Sequence, residues 1–262
     1  MKILALDASG KVASVALAEN DKLLGEYTSN TGQTHSQTLL PMVDALQRLT
    51  GVELSGVDAI AVAAGPGSFT GLRIGSATAK GLSFAWNKPI VEVPTVDAIA
   101  WNMAGADGLV CPILDARRQQ TYTGIYRFAI ETENGREADP MTAESGNPRR
   151  NTRDELVFPR VCMEAVHEQY ATTIAELVDA LNALEEKVTF LGDGVPVFQS
   201  YIAENLKVPY VFAPLHQRLQ SAGSVASLAM RLAEEGRFVS GADRRPKYLR
   251  ETQAERERKA GK

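Results

Sequence analysis

Three aspartates follow strand-like runs. Asp7 closes Lys2 to Leu6, Asp115 closes Leu109 to Leu114, and Asp193 lies in Gly192-Asp193-Gly194 after Val188 to Leu191. A carboxylate at the end of a strand, facing a small-residue turn, can house metal–phosphate chemistry at a crevice edge. The same placement also ends a strand by capping its turn, and residue type alone does not choose between them. A second chemical candidate is Gly65 to Gly71 (GPGSFTG), set between the apolar run Ala59 to Ala64 and a helical pattern over Leu72 to Trp86. Strand, glycine loop and helix is the order that cradles phosphates. A dinucleotide fingerprint counted from Gly65 and Gly67 requires glycine where Thr70 stands. A Walker A loop requires Gly-Lys-Ser/Thr where Gly71-Leu72-Arg73 stands. Neither motif is met. Amides at the helix start, with Arg73 in the first turn, keep an anion role open. The plainer reading is a turn joining a buried strand to a closely packed helix.

Other chemistries find less support. His35 has no carboxylate or cysteine at zinc-ligand spacing. There is no HxxxH, HExxH or GxSxG pattern. Cys111 and Cys162 lie among apolar residues, which predicts buried free thiols, a reducing compartment and hence the cytoplasm. No catalytic set and no metal site is predicted. Asp7, Asp115 and Asp193 stand as candidate cleft residues for a cofactor.

The elements that would hold these groups follow from periodicity. Lys2 to Leu6, Val12 to Leu17 and Leu23 to Tyr27 read as an antiparallel meander with Asn20-Asp21 at a tip. Thr34 to Leu49 reads as a helix troubled by Pro41. Ile90 to Val93 reads as a strand and Val96 to Met103 as a helix capped by Thr95. Thr121 to Ile130 alternates, with Tyr122, Gly124, Tyr126 and Phe128 on one face. Cys162 to Tyr170 is read as helical, and Ile174 to Leu184 and Ser221 to Glu235 are clear helices. Val195 to Asn205 is helical in part, and Val208 to Phe212 is a last strand. Both halves begin with a strand ending in aspartate, Leu4 to Asp7 and Pro112 to Asp115, which suggests two similar α/β lobes. The boundaries read as 1–107 for the first lobe, completed by 216–250, and 108–215 for the second, with AGADG at 104–108 between them.

The 262 residues are 44% apolar and 23% charged with a net charge of −4, which argues against dominant nucleic-acid electrostatics while leaving room for a local basic patch. Asp243 to Lys262 supplies one such stretch, with eight Lys or Arg against four Asp or Glu. Arg149, Arg150 and Arg153 supply another within the polar, turn-rich stretch 131–160, read as a solvated loop or flap. The opening MKILALDAS reads as a strand rather than a signal peptide. No run approaches the length that crosses a membrane.

Several stretches together resemble the bacterial TsaB (YeaZ) family of the tRNA threonylcarbamoyladenosine pathway: ILALDAS with SVAL, HSQTLLPMVDAL, and AAGPGSFTGLRIGSATAKGLSFA. DAR at Asp115 to Arg117, Tyr122, LGDG at Leu191 to Gly194 and KYLR near the end are weaker landmarks. The resemblance implies a two-lobed actin-like, Hsp70-like ATPase (ASKHA, ribonuclease H-like) α/β fold with mixed sheets. It implies a non-catalytic partner that activates TsaD, which transfers threonylcarbamoyl to N6 of adenosine 37 in tRNAs reading ANN codons. TsaE joins that complex, ATP is used by the pathway and complex, tRNA is met at complex level, and some members form homodimers when TsaD is absent. The implied partner surface is the first-lobe helical pair, carried by His35, Leu39, Met42, Val43, Leu46, Arg73, Ser76, Ala77 and Lys80. The alternatives are a nucleotide-hydrolysing actin-like enzyme, a peptidase-like enzyme, or direct tRNA binding through the arginines and the tail.

Overall fold

Lys2–Asp7 (β1), Ala13–Glu19 (β2) and Lys22–Ser29 (β3) form the expected antiparallel meander. Asn20 turns its tip in the left-handed region at φ 54°. This computed structural model describes residues 1–131, 137–138, 149–150, 156–157, 160–242 and 244. The chain continues through helix His35–Thr50 (α1), strand Ala59–Ala63 (β4), helix Phe69–Trp86 (α2), strand Ile90–Val93 (β5) and helix Thr95–Ala100 (α3). Strands β4 and β5 join β1 in parallel, giving the sheet order β3-β2-β1-β4-β5.

The second half repeats this plan. Leu109–Asp115 (β6), Gln120–Glu131 (β7) and Arg160–Thr173 (β11) are antiparallel, while Val188–Leu191 (β12) and Tyr210–Phe212 (β13) extend the sheet in parallel. Its order, β11-β7-β6-β12-β13, matches the first sheet position for position. Between β7 and β11 lie the short strands Glu137–Ala138 (β8), Arg149–Arg150 (β9) and Leu156–Val157 (β10). Ile174–Leu184 (α4) and Val195–Asn205 (α5) cover one face of the second sheet. The duplicated mixed sheet is the two-lobed actin-like, ribonuclease H-like α/β fold.

The two faces of the first sheet differ in residue size, and that sets the packing. Leu4, Leu6, Val15 and Leu17 point toward Leu39, Val43 and Leu46 of α1 and Ala79 of α2. Ala5, Ala16, Ala18, Ala59 and Ala61 point the other way, against Ala222–Glu234 (α6). Helix α6 answers with Ala222, Ala226, Ala229 and Ala233. Small residues on both sides let helix and sheet approach closely. Each fully buried leucine or valine adds roughly 1.5–3 kcal/mol. Helix α6 also ties to the second lobe, where Arg160 pairs with Glu234 at 3.1 Å and the Arg231 guanidinium donates to Val161 O. Trp101 Nε1–H donates to Ser227 Oγ at 2.9 Å, with the Arg231 guanidinium over its ring.

Some elements differ from the sequence reading. Cys162 to Tyr170 is not helical; it lies within β11, paired along β7. Register shifts between Ala165 and His167 and between His167 and Tyr170 interrupt the two-residue alternation, which removes the periodic signal a strand would show. Helix α2 starts at Phe69 rather than Leu72, because Ser68 supplies the cap by accepting from Gly71 N–H. Thr95 is the first residue of α3, not its cap. Its hydroxyl accepts from Gly65 N–H instead. Helix α1 runs unbroken through Pro41, whose ring is on the exposed side. The side chains of Arg149 and Arg150, Arg153, and the tail beyond Arg244 lie outside the described residues.

Candidate functional site

The turn after β1 and the glycine loop after β4 pack directly on each other. A Cβ on Gly67 would stand 2.3 Å from Ser9 O, and one on Gly71 would stand 2.0 Å from Ala8 O. Only glycine permits that approach. Ser68 N–H donates to Ser9 O at 2.7 Å, and Gly71 N–H to Ser68 Oγ at 3.3 Å. The opposite edge of the loop is held by Gly65 N–H to Thr95 Oγ1 and Thr95 N–H to Gly65 O. These amides are therefore engaged by protein groups. The loop is a packing device that seats α2 against the β1–β2 turn.

That seating encloses Asp7. Its side chain is fully buried; Oδ1 accepts from Ser9 N–H at 2.8 Å, and Oδ2 has no hydrogen-bond partner among the described residues. Burial pushes its pKa up to about 6. Close by, His35 Nε2 bonds Gly10 O at 2.8 Å.

The other two aspartates meet on the second lobe. Asp193 Oδ1 accepts from Asp115 N–H at 3.2 Å. Burial raises the Asp193 pKa, the Asp115 charge adds to this, and Lys11 of the first lobe opposes it. Asp115 also accepts from Arg117 N–H at 2.8 Å and pairs with its guanidinium at 3.3 Å. Arg117, Arg118 and Gln119 all turn in the left-handed region, at φ 64°, 56° and 60°. Such backbone strain in non-glycine residues concentrates at sites.

Between the lobes is a cavity of about 360 Å³ lined by Ser9, Lys11, Gly67, Asp115, Asp193 and Gln220 among others. This is at the small end of the range for ligand pockets. The structure thus brings Asp115 and Asp193 to the cleft wall and seals Asp7 behind the turn. Gln220 was not singled out from the sequence. It is buried against Gly10, and among the described residues neither of its amide atoms has a partner. Nothing local marks it, because its neighbours are some two hundred positions away in the chain. Lys11 could have been found as the lone cation of the β1–β2 turn. Among the described residues, no three His, Cys, Asp or Glu side chains gather in a metal-holding group.

The helical pair divides by burial. Leu39, Val43 and Leu46 are in the core beneath α1, and Ser76 is buried on α2, so none of the four has surface for a partner to touch. The reason is the wide apolar face of α1, most of which its own sheet occupies. His35, Met42 and Lys80 are half-buried, while Arg73 and Ala77 are exposed. Leu40, 51% exposed on α1, and Phe69, whose ring lies 3.9 Å from the Arg73 guanidinium, are further exposed apolar residues of the pair that were not selected from sequence.

The family model described as "TsaD: tRNA N6-adenosine threonylcarbamoyltransferase" matches residues 22–258. The tRNA threonylcarbamoyladenosine biosynthesis protein TsaB of Bacillus subtilis is 39% identical over 128 residues, covering 49% of this chain and 56% of that protein. Its Escherichia coli namesake is 36% identical over 138 residues, 52% of this chain and 58% of that protein. The matches therefore span little more than half the length of these curated relatives. The solved YeaZ of Pseudomonas aeruginosa superposes with a TM-score of 0.68 at 26% identity, covering 95% of this chain and 99% of that one. A sequence match of this extent, relatives carrying one name and a solved neighbour of the same two-lobed shape agree: the chain belongs to the TsaB (YeaZ) group of the TsaD-type family.

Proposed function

We propose that this chain acts in making threonylcarbamoyladenosine in tRNA, as the non-catalytic partner that binds and activates TsaD. The observation carrying the reading is the membership in the TsaB group, whose named relatives are threonylcarbamoyladenosine biosynthesis proteins. The binding surface is the exposed side of α1 and α2: Leu40, Phe69, Arg73 and Ala77, with Met42, His35 and Lys80 at its margin. Exposed apolar side chains ringed by polar ones fit a protein interface. The same face serves a homodimer when TsaD is absent. TsaE and ATP enter at the level of the complex, in the cytoplasm. The three histidines have separate local surroundings. His35 bonds Gly10 O, His167 stacks on Tyr170, and His216 lies in the segment after β13.

The test is reconstitution with purified TsaD, TsaE, threonylcarbamoyl-AMP and unmodified tRNA. A stoichiometric complex with TsaD and modification that depends on this chain are expected. No complex and no stimulation would end the reading. A second reading, nucleotide hydrolysis in the interlobe cleft, draws on Asp115 and Asp193 on the cleft wall. ATP turnover by the isolated chain that is lost in Asp193→Ala would favour it.

A further inference from the structure

Two polar side chains on the wall of the interlobe cavity are left unsatisfied by the protein. Gln220 is 2% exposed and Ser9 1%, and both line the cavity. Among the described residues neither amide atom of Gln220 has a hydrogen-bond partner, and neither does Ser9 Oγ. Buried polar groups are almost always paired, because burial strips them of water. An amide offers two N–H donors and a carbonyl acceptor, and a hydroxyl both donates and accepts. Both side chains are also held in place. The glycine at position 10 makes room for Gln220, whose amide nitrogen would stand 2.2 Å from a Cβ there. The Asn102 amide donates to Gln217 O and Leu219 O, at 2.9 and 2.7 Å, and fixes the chain that leads into Gln220. Ser9 O is tied to the glycine loop by Ser68 N–H at 2.7 Å.

The charges on the same wall say what would fill it. Lys11, Asp115, Arg117 and Asp193 line the cavity. Asp115 and Arg117 pair at 3.3 Å and neutralise each other. That leaves one charge of each sign on opposite lobes: Asp193, half-buried, and Lys11, exposed. Neither forms an ion pair among the described residues. They are close enough to feel each other, since burial raises the Asp193 pKa and Lys11 opposes it. A ligand answering this wall carries an ammonium for Asp193, a carboxylate for Lys11, and hydrogen-bonding groups for Gln220 and Ser9. The four charges sum to zero, which suits a dipolar ligand better than a polyanion. The glycine loop offers little to a phosphate, because Ser68 N–H and Gly71 N–H are engaged within the protein. Size agrees: at about 30 Å³ for each water-sized group, a cavity of about 360 Å³ holds roughly a dozen non-hydrogen atoms. An amino acid is of that size, and a nucleoside triphosphate is far larger.

We propose that the interlobe cleft binds a free α-amino acid as its zwitterion, with the ammonium on Asp193, the carboxylate on Lys11, and Gln220 and Ser9 hydrogen-bonded to it. This goes beyond the TsaD reading and does not depend on it, since none of these residues belongs to the surface assigned to TsaD. A nucleotide in the cleft is the competing occupant.

The test is thermal denaturation of the full chain with each of the protein-forming L-amino acids at about 10 mM. Calorimetric titration then follows for the amino acid with the largest effect, its N-acetyl derivative, its methyl ester and ATP. At least one amino acid should raise Tm, by a shift that grows with its concentration. The N-acetyl derivative, with no ammonium for Asp193, should bind at least tenfold more weakly. The methyl ester, with no carboxylate for Lys11, should bind at least threefold more weakly. Gln220→Leu and Asp193→Asn should each weaken binding at least tenfold, and Lys11→Gln about threefold, because an exposed pair is screened. Circular dichroism checks that each variant is folded, and the three positions lie in separate segments, so a fold defect at one leaves the others to decide. No Tm shift with any amino acid overturns the proposal. So does binding that survives both Gln220→Leu and Asp193→Asn, or that both derivatives match. ATP binding that Asp193→Asn abolishes, with no amino acid bound, would overturn it in favour of a nucleotide.

Discussion

The packing role given to the glycine loop makes a quantitative prediction for Gly71→Ala. The new methyl carbon would sit 2.0 Å from the carbonyl oxygen of Ala8, so the backbone of either α2 or the β1–β2 turn must retreat by roughly 1 Å or more to reach ordinary contact. Overpacking of this kind costs about 1–3 kcal/mol. Retreat also lengthens the Ser68 N–H to Ser9 O bond, now 2.7 Å, for roughly another 1 kcal/mol. Alanine's better helix propensity returns about 1 kcal/mol. The net is a loss of about 1–3 kcal/mol, a fall in Tm of roughly 2–12 °C for a chain of this size. Gly81 is the control, because it lies in the same helix, is exposed, and has nothing within 4 Å of its Cβ position. Gly81→Ala should stabilise by about 1 kcal/mol. Both variants are measured by urea and thermal denaturation followed by circular dichroism, with no ligand added. If Gly71→Ala melts within about 1 °C of the unsubstituted chain, the close approach is not what the loop is for.

Asp7 is predicted to make stability fall as pH rises. Its folded pKa, about 6, exceeds the ordinary 3.8, so the native state holds its proton more tightly. The favourable contribution is complete below pH ~4 and is lost as pH rises through ~6, to the extent of roughly 3 kcal/mol. Asp7→Asn should accordingly be more stable than the unsubstituted chain at pH 7.5, with the gap closing by pH 4 in paired urea titrations; a gap independent of pH would contradict this. Tyr126 donates to Asp97 Oδ1 at 2.7 Å, joining the second sheet to α3, and burial raises the pKa of that carboxyl. Tyr126→Phe should cost about 1–3 kcal/mol by leaving a buried acceptor unpaired, read as a lower urea midpoint at unchanged m-value. Leu39→Ala should cost about 2–5 kcal/mol as a core cavity, whereas Arg73→Ala should leave the melting curve in place, since its side chain is exposed.

What the sequence makes legible follows from how local each signal is. The β1–β3 meander could be read because alternation and the Asn20-Asp21 tip are local. Helix α6 could be read because Val225, Leu228, Ala229 and Leu232 form one stripe that is buried as expected. Asp115 and Asp193 could be nominated because a strand end is a local feature, but their meeting across β6 and β12 depends on the parallel pairing Leu191↔Pro112. Gln220 could not be found, since only the fold brings it to Gly10. Strand β11 was hidden by its register shifts. The helical pair shows a deeper ambiguity. An amphipathic pattern says that one face is covered, not by what. For Leu39, Val43 and Leu46 the cover is the protein's own sheet, and only Arg73, Ala77 and their neighbours remain for another molecule.

Calorimetric titration of TsaD into this chain and two variants addresses the proposed function most directly. Ala77→Glu puts a charge on the exposed α2 face, and Leu215→Glu puts one on a residue that is 85% exposed in the segment after β13. A buried, unpaired carboxylate at an interface costs several kcal/mol. TsaD should bind the unsubstituted chain one to one, bind Leu215→Glu equally well, and bind Ala77→Glu about a hundredfold or more weakly. Equal affinity for Ala77→Glu, or no binding by the unsubstituted chain, would contradict the account.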